Sequence, residues 1–288
     1  MLSRAEEIYV RIRQHIARHR DLRNQAIGAL LGQLFEESLN FLRGHRSVDL
    51  ISQVAGKRYF AFQNGTKLSR AVNADLYLDS ADGWSPLLTA ISRQDFSSLP
   101  AHNINRVIYS AAISFCALID LTRRADQKTP GTFFEYLIGH LFAARLGLNP
   151  TKRLPVLNLD MNTTLPTDFI FDLGPGRAKF HLPIKTSTRE RVIQVWAHQR
   201  VLDGVYGTGR FLGTPVILAE TKTDFETKKV VEICLPDQWL IYQMHIAQLK
   251  RVYYLDVPVP YARLTGTFPR LYVKAFGDFF HEVDTLIE

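Results

Sequence analysis

The spacing of apolar positions changes period along this chain, and each change marks an element. Over residues 3–45, AEEIYVRIRQHIARH and NQAIGALLGQLFEESLNFLRGH repeat apolar residues at helical spacing, which predicts helices. KRYFAFQNGTKLSRAV then carries Asn64-Gly65 between two strand-like runs. An Asn-Gly pair accepts the positive φ of a tight turn, so a hairpin is predicted there. NINRVIYSAAISFCALIDLTRR, residues 103–124, reads as a buried helix.

The pattern becomes regular from residue 129. TPGTFFEYLIGHLFAARLGLNP predicts a helix stopped by Gly147 with Pro150 beyond it. PTDFIFDL and KFHLPIKT predict two strands joined through the turn GPGR, a second hairpin. STRERVIQVWAHQRVLDG predicts a helix closed by Gly204, TPVILAET a buried strand, PDQWLIYQMHIAQL a helix and RVYYLDVPV a strand. RLYVKAFGDFFHEVDTLI is helical at its end. This order predicts an α/β (α+β) chain, a mixed central sheet flanked by helices, over residues 126–288. A mostly helical region, residues 1–125, precedes it and is expected to serve DNA contact or dimerisation.

Composition narrows the class. The 288 residues are 46% hydrophobic and 22% charged, ordinary for a globular chain with a sizeable core. The net charge of +7 suits a polyanionic partner. Two cysteines, Cys116 and Cys234, are too few for a structural zinc site or a disulfide scaffold. No apolar signal core opens the chain and no apolar run approaches the roughly 20 residues of a membrane span, so a cytoplasmic protein is expected.

Candidate chemistry gathers at the second hairpin. Asp168 begins one strand and Lys185 ends the next, so antiparallel pairing brings both to one edge. A carboxylate can hold Mg²⁺, and an ammonium beside it can position a water or offset phosphoryl charge. That pair is what metal-assisted phosphodiester hydrolysis needs; a solvated Asp and a surface Lys give the same letters. Arg189 and Arg191 follow at a helix start, where the dipole disfavours positive charge. Arg can grip guanine O6 and N7, and Glu190 can accept from cytosine N4. The competing reading is a salt-bridged turn with Ser187 and Glu190 as a capping box. Glu135 lies beside the apolar column of Ile138 and Phe142 and needs a partner, either a metal or Thr132 in another capping box. ETKTDFETKK reads as a solvated hairpin, and Trp196 and Trp239 as core. His140 and His181 show no metal-ligand spacing.

Asp168, a hairpin and then Lys185, with the helical Glu135 before them, resembles the PD-(D/E)-x-K nuclease superfamily. KTSTRERVIQ resembles more closely the CCGG group of type II restriction endonucleases, which place an R-(D/E)-R element four residues after the catalytic lysine; Arg189 stands there. The resemblance covers about residues 129–260. It implies a Mg²⁺ ion on Asp168 and the carbonyl of Ile184, with Glu135 as a supporting acid or a ligand of a second ion. It implies that Lys185 assists the attacking water, that Arg189 and Arg191 bind guanines, and that Glu190 bridges cytosines. It further implies a bacterial or archaeal enzyme that cuts double-stranded DNA at a CC/GG palindrome as a homodimer or a pair of dimers. Lys67 and Arg70, just after the Asn-Gly turn, are further candidates for DNA contact.

Two positions depart from the family pattern. Pro183 stands where an acid usually precedes the lysine by two residues, and Pro also removes a ladder N–H. The CCGG group often moves that acid to the next helix, thirteen residues after the lysine, where this chain has His198, a candidate catalytic residue in its place. Imidazole suits softer metals than Mg²⁺. These departures keep a catalytically decayed DNA-binding module as an alternative. A structure-specific repair or recombination nuclease is another.

Overall fold

The computed structural model describes residues 4–155 and 163–287. Helices α1 (Arg4–His19) and α2 (Gln25–Arg43) pack together at the start of the chain. Asn24 caps α2 by accepting from the Ala26 N–H at 2.9 Å. Strands β1 (Arg46–Ser52), β2 (Tyr59–Asn64), β3 (Lys67–Leu68) and β4 (Val72–Asn73) follow, then α3 (Trp84–Arg93) and α4 (Ala101–Thr122). The predicted hairpin is present: Asn64 pairs with Lys67, and Gly65 takes φ 58° in the turn. Helix α4 is long and apolar enough to span a bilayer, but 89% of its apolar window is buried inside the protein, as in a core helix.

The second part alternates helix and strand. It runs α5 (Lys128–Leu146), β5 (Thr151–Pro155), β6 (Thr164–Asp172), β7 (Lys179–Leu182), β8 (Ile184–Lys185) and α6 (Ile193–Tyr206). It continues with β9 (Phe211–Gly213), β10 (Val216–Ile217), β11 (Thr221–Asp224), β12 (Lys229–Glu232) and α7 (Pro236–His245). It ends with β13 (Val252–Tyr254), α8 (Val259–Ala262), β14 (Val273–Ala275) and α9 (Phe279–Leu286).

The central sheet is mixed and bent. One half orders its strands β5-β6-β7-β9, the other β14-β13-β10-β8. Residues 179–185 pass from the first half to the second at Pro183, and residues 211–217 do so at Thr214-Pro215. KFHLPIKT is therefore two short strands, not one. Proline has no N–H to give a ladder, so the sheet bends where the prolines fall. Thr214 N–H donates to His181 O at 2.8 Å and Val216 N–H to Pro183 O at 2.9 Å, which holds the chains together across the bend.

A further sheet orders β11-β12-β1-β2-β3, with β4 also on β2, and β1 pairs β12 in parallel. Residues on either side of position 125 thus share a sheet, and one apolar core runs from Ala5 to Leu286. Two helix ends differ from expectation. Helix α6 runs through Gly204 and stops at Gly207, which takes φ 98° and donates its N–H to Asp203 O. An interior glycine costs a helix only about 1 kcal/mol, too little to end it. Arg189–Arg191 lie outside α6, in a separate 3-10 turn.

Candidate active site

Pro183 explains how Asp168 and Lys185 meet. Phe169 is in register with Leu182, so Asp168 stands next to the point where the ladder would need an N–H from residue 183. Proline cannot supply it, and the Asp168 side chain takes the place of the backbone. Its Oδ2 accepts the Ile184 N–H at 2.7 Å and the Lys185 ammonium at 2.8 Å. Among the described residues no donor is directed at its Oδ1. Pro183 O accepts from Val216 N–H in β10, and Lys185 O from Leu218 N–H just past its end. Carbonyls alternate sides along a strand, so Ile184 O faces the other way, the side on which its N–H reaches Asp168.

Glu135 joins this pair from α5. Burial, and then the charge of Asp168, push its carboxyl above the usual range, while Lys152 and Lys185 pull against that shift. The Lys152 ammonium is 3.8 Å from its Oε2. Thr132 does not cap the helix, because α5 already begins at Lys128. Asp126 serves that end, its Oδ1 accepting the Thr129 N–H at 2.9 Å. The side chains of two acids and a lysine therefore come together from α5, β6 and β8.

At the two positions where the resemblance expects a further acid this chain has Pro183 and His198, and a second imidazole, His181, lies beside them. A cavity of about 140 Å³ is lined by Thr167, Asp168, His181, Lys185 and His198 among others. Burial pushes His181 down to about 4. Its Nδ1 lies 3.0 Å from Gln199 Oε1, and the Gln199 amide nitrogen donates to Asp203 Oδ1 and Phe211 O. Gln199 is thereby oriented with its oxygen toward His181, so Nδ1 carries the proton. Nε2 is then a bare acceptor, buried and without a partner among the described residues. His198 is also held below its usual range, by burial first and then by Lys185. Both rings are neutral near pH 7 and add no negative charge. Among the described residues, no three His, Cys, Asp or Glu side chains surround a common metal position.

The remaining donors still fit Mg²⁺. The ion is hard, takes oxygen, keeps several waters and is often held by one or two carboxylates. Asp168 Oδ1 and Ile184 O offer such oxygens on one side of the sheet, with Glu135 behind them.

One turn after Lys185, Arg189 and Arg191 are exposed, and neither pairs with an acid among the described residues. The side chain of Glu190 lies outside what is described. Ser187 does not cap this turn as the S-x-x-E pattern suggested: its Oγ donates to Glu220 Oε2 at 2.7 Å. Glu220 is 1% exposed, although it opens the stretch read as a solvated hairpin. The rest of that stretch does form the hairpin of β11 and β12. Lys67 and Arg70 are not brought to the site. Lys67 donates to Leu121 O at 3.5 Å, and Arg70 forks onto Asp120 at 2.7 and 2.9 Å, so both are engaged with the end of α4. Trp196 and Trp239 are core, with ring centroids 5.3 Å apart.

No family model and no curated protein matches this sequence. Among solved structures the fold is similar to the crystal structure of the type IIP restriction endonuclease Kpn2I. The TM-score is 0.82 at 25% identity, over 98% of this chain and 96% of that one. It is also similar to the restriction endonuclease PspGI in a substrate DNA complex, over 71% of this chain and 87% of that one. That likeness, TM-score 0.46 at 13% identity, is too loose to argue from. The chain thus shares the fold of a type IIP restriction endonuclease along nearly its whole length.

Proposed function

We propose that the enzyme hydrolyses double-stranded DNA at a short palindrome with a CC/GG core, with Mg²⁺, as a homodimer in which each subunit cuts one strand. The observation that carries this reading is the Asp168 carboxylate joined to Ile184 N–H and Lys185 Nζ, one turn from two exposed arginines that pair with no acid among the described residues.

Asp168 Oδ1 and Ile184 O would hold the ion, with Glu135 acting through water. When bound, the ion lowers the pKa of a water and polarises the scissile phosphate. Asp168 Oδ2 keeps the Lys185 ammonium aimed at the same edge. Lys185 then orients the attacking water and offsets charge that builds on the phosphoryl oxygens. His198 contributes a neutral ring where an acid would strengthen a second ion site, so one ion is assigned, not two. Arg189 and Arg191 read guanines in the major groove, and Glu190 reads cytosines.

Lys185→Ala should lower the cutting rate by about 10²- to 10⁴-fold while DNA binding remains. Arg189→Ala should weaken the preference for the cognate site. Full activity in Lys185→Ala overturns the catalytic assignment, and an unchanged site preference in Arg189→Ala overturns the base-reading assignment. Sequence-specific binding by the unaltered protein with no cutting under Mg²⁺ would favour the decayed module, and a preference for branched DNA the repair nuclease.

A further inference from the structure

We propose that Glu220, which makes no part of the catalytic pair, is the positioning residue that fixes the base-reading turn. This rests on the reading of Arg189 and Arg191 given above.

The sheet register delivers Glu220 to the turn. Strands β8 and β10 pair in parallel, with Lys185 opposite Ile217. The pairing continues beyond them: Leu218 N–H donates to Lys185 O at 3.0 Å and Ala219 N–H to Thr186 O at 3.3 Å. The next residue on each chain is Glu220 and Ser187, so the carboxylate arrives beside the start of the turn. Its Oε2 accepts Ser187 Oγ at 2.7 Å. Its Oε1 accepts Thr188 N–H at 2.9 Å, the Thr188 hydroxyl, and Tyr254 OH at 3.0 Å. The Arg189 N–H reaches Oε2 at 3.4 Å. No Lys or Arg pairs with Glu220 among the described residues.

A buried carboxylate is costly unless its lone pairs are filled. Four of these five donors come from the consecutive residues Ser187, Thr188 and Arg189, so they must converge on one point. Convergence bends the backbone. Arg189 takes φ 41°, a left-handed conformation that a long side chain adopts only where its surroundings impose it. The Arg191 N–H closes the turn on Thr188 O at 2.7 Å. Thr188 is buried at 3% exposure, whereas Arg189 and Arg191 point out of the fold. The carboxylate anchors the turn from inside and leaves both guanidinium groups exposed and aimed. Strain at a recognition turn, held by one buried acid, is preorganisation: the arginines lose little freedom on meeting DNA.

The test compares cutting of the cognate site with cutting of sites altered at one base, together with thermal unfolding. In Glu220→Gln the shape is kept, but an NH₂ replaces one acceptor, so a donor of the turn loses its partner. Discrimination should fall by about tenfold or more, within the range one base contact provides. The maximal rate on the cognate site should stay within a few-fold, since Asp168 and Lys185 are untouched. A structural role alone would lower rates on all sites alike. Arg189→Ala is the control. If Arg189→Ala loses discrimination and Glu220→Gln keeps it, the positioning role is wrong and base reading stands. If neither loses it, base reading fails and this proposal fails with it. If Glu220→Gln does not fold, Ser187→Ala carries the test by removing one hydroxyl donor: a severalfold loss of discrimination supports the proposal and none overturns it.

Discussion

Replacing Gly139 by alanine should damage the site without touching any group that reacts. Gly139 lies one turn after Glu135 on α5, on the same face. A Cβ there would stand 2.6 and 2.8 Å from Cε2 and Cζ of the Phe169 ring, and 3.3 Å from Leu22 Cδ1. Phe169 is 1% exposed and neighbours Asp168, so the ring cannot swing aside into solvent. Either α5 retreats from β6 or Phe169 moves, and each separates Glu135 from Asp168. Phe169 also supports the Lys152 ammonium, 4.6 Å above its ring, which in turn pairs with Glu135. Overpacking costs about 1–3 kcal/mol and the better helix propensity of Ala returns about 1 kcal/mol. A net loss of about 1 kcal/mol corresponds to roughly 2 °C in Tm for a chain of this length. Misplacement of the order of 1 Å can cost about 10²-fold in rate, so a ten- to hundredfold drop in cutting is expected. Differential scanning fluorimetry and single-turnover cleavage read both quantities. A Gly139→Ala protein with raised Tm and an unchanged rate would show that the close approach of α5 does not set the site.

Three other outcomes are expected. Lys57→Ala should cost about 3–5 kcal/mol, read as a lower Tm or urea midpoint, because Lys57 is the cation between the buried Glu232 and Asp256 at 2.7 and 2.6 Å. Lys57→Met with Asp256→Asn should be milder than Lys57→Ala, since less charge is stranded. Asp126 is held at about 2: burial raises it, but hydrogen bonds from Thr129 and the pairing with Arg123 outweigh burial. Its contribution to stability is thus full above about pH 4 and is lost as pH falls toward 2; Asp126→Asn should flatten that part of the stability profile.

The meeting of Asp168 and Lys185 was legible because it is local. Asp168 and Lys185 are 17 residues apart across one hairpin, and the alternation of strand residues sets which ends meet. Pro183 announced a break in the ladder, and the sheet bends there. Contacts made at long range left no such trace. Glu220 begins a run of charged letters, and only the parallel pairing of β8 with β10 buries it. The S-x-x-E pattern at Ser187 matched a cap, yet the hydroxyl was captured by an acid 33 residues later. Arg70 looked available for DNA because Asp120, its partner, is 50 residues away. The pairing of Ile51 with Lys229, which ties β1 to β12, joins segments with no shared periodicity. Local propensity and spacing found the elements and their short-range meetings; tertiary pairing decided which polar groups remain free.

Digestion of plasmid and phage DNA by the purified protein, with Mg²⁺ and with EDTA, followed by sequencing of the fragment ends, tests the central claim most directly. Discrete fragments whose ends share a palindrome with a CC/GG core, absent in EDTA, are the expected result. Cutting at unrelated sequences, cutting that persists in EDTA, or no cutting by a folded protein would contradict it.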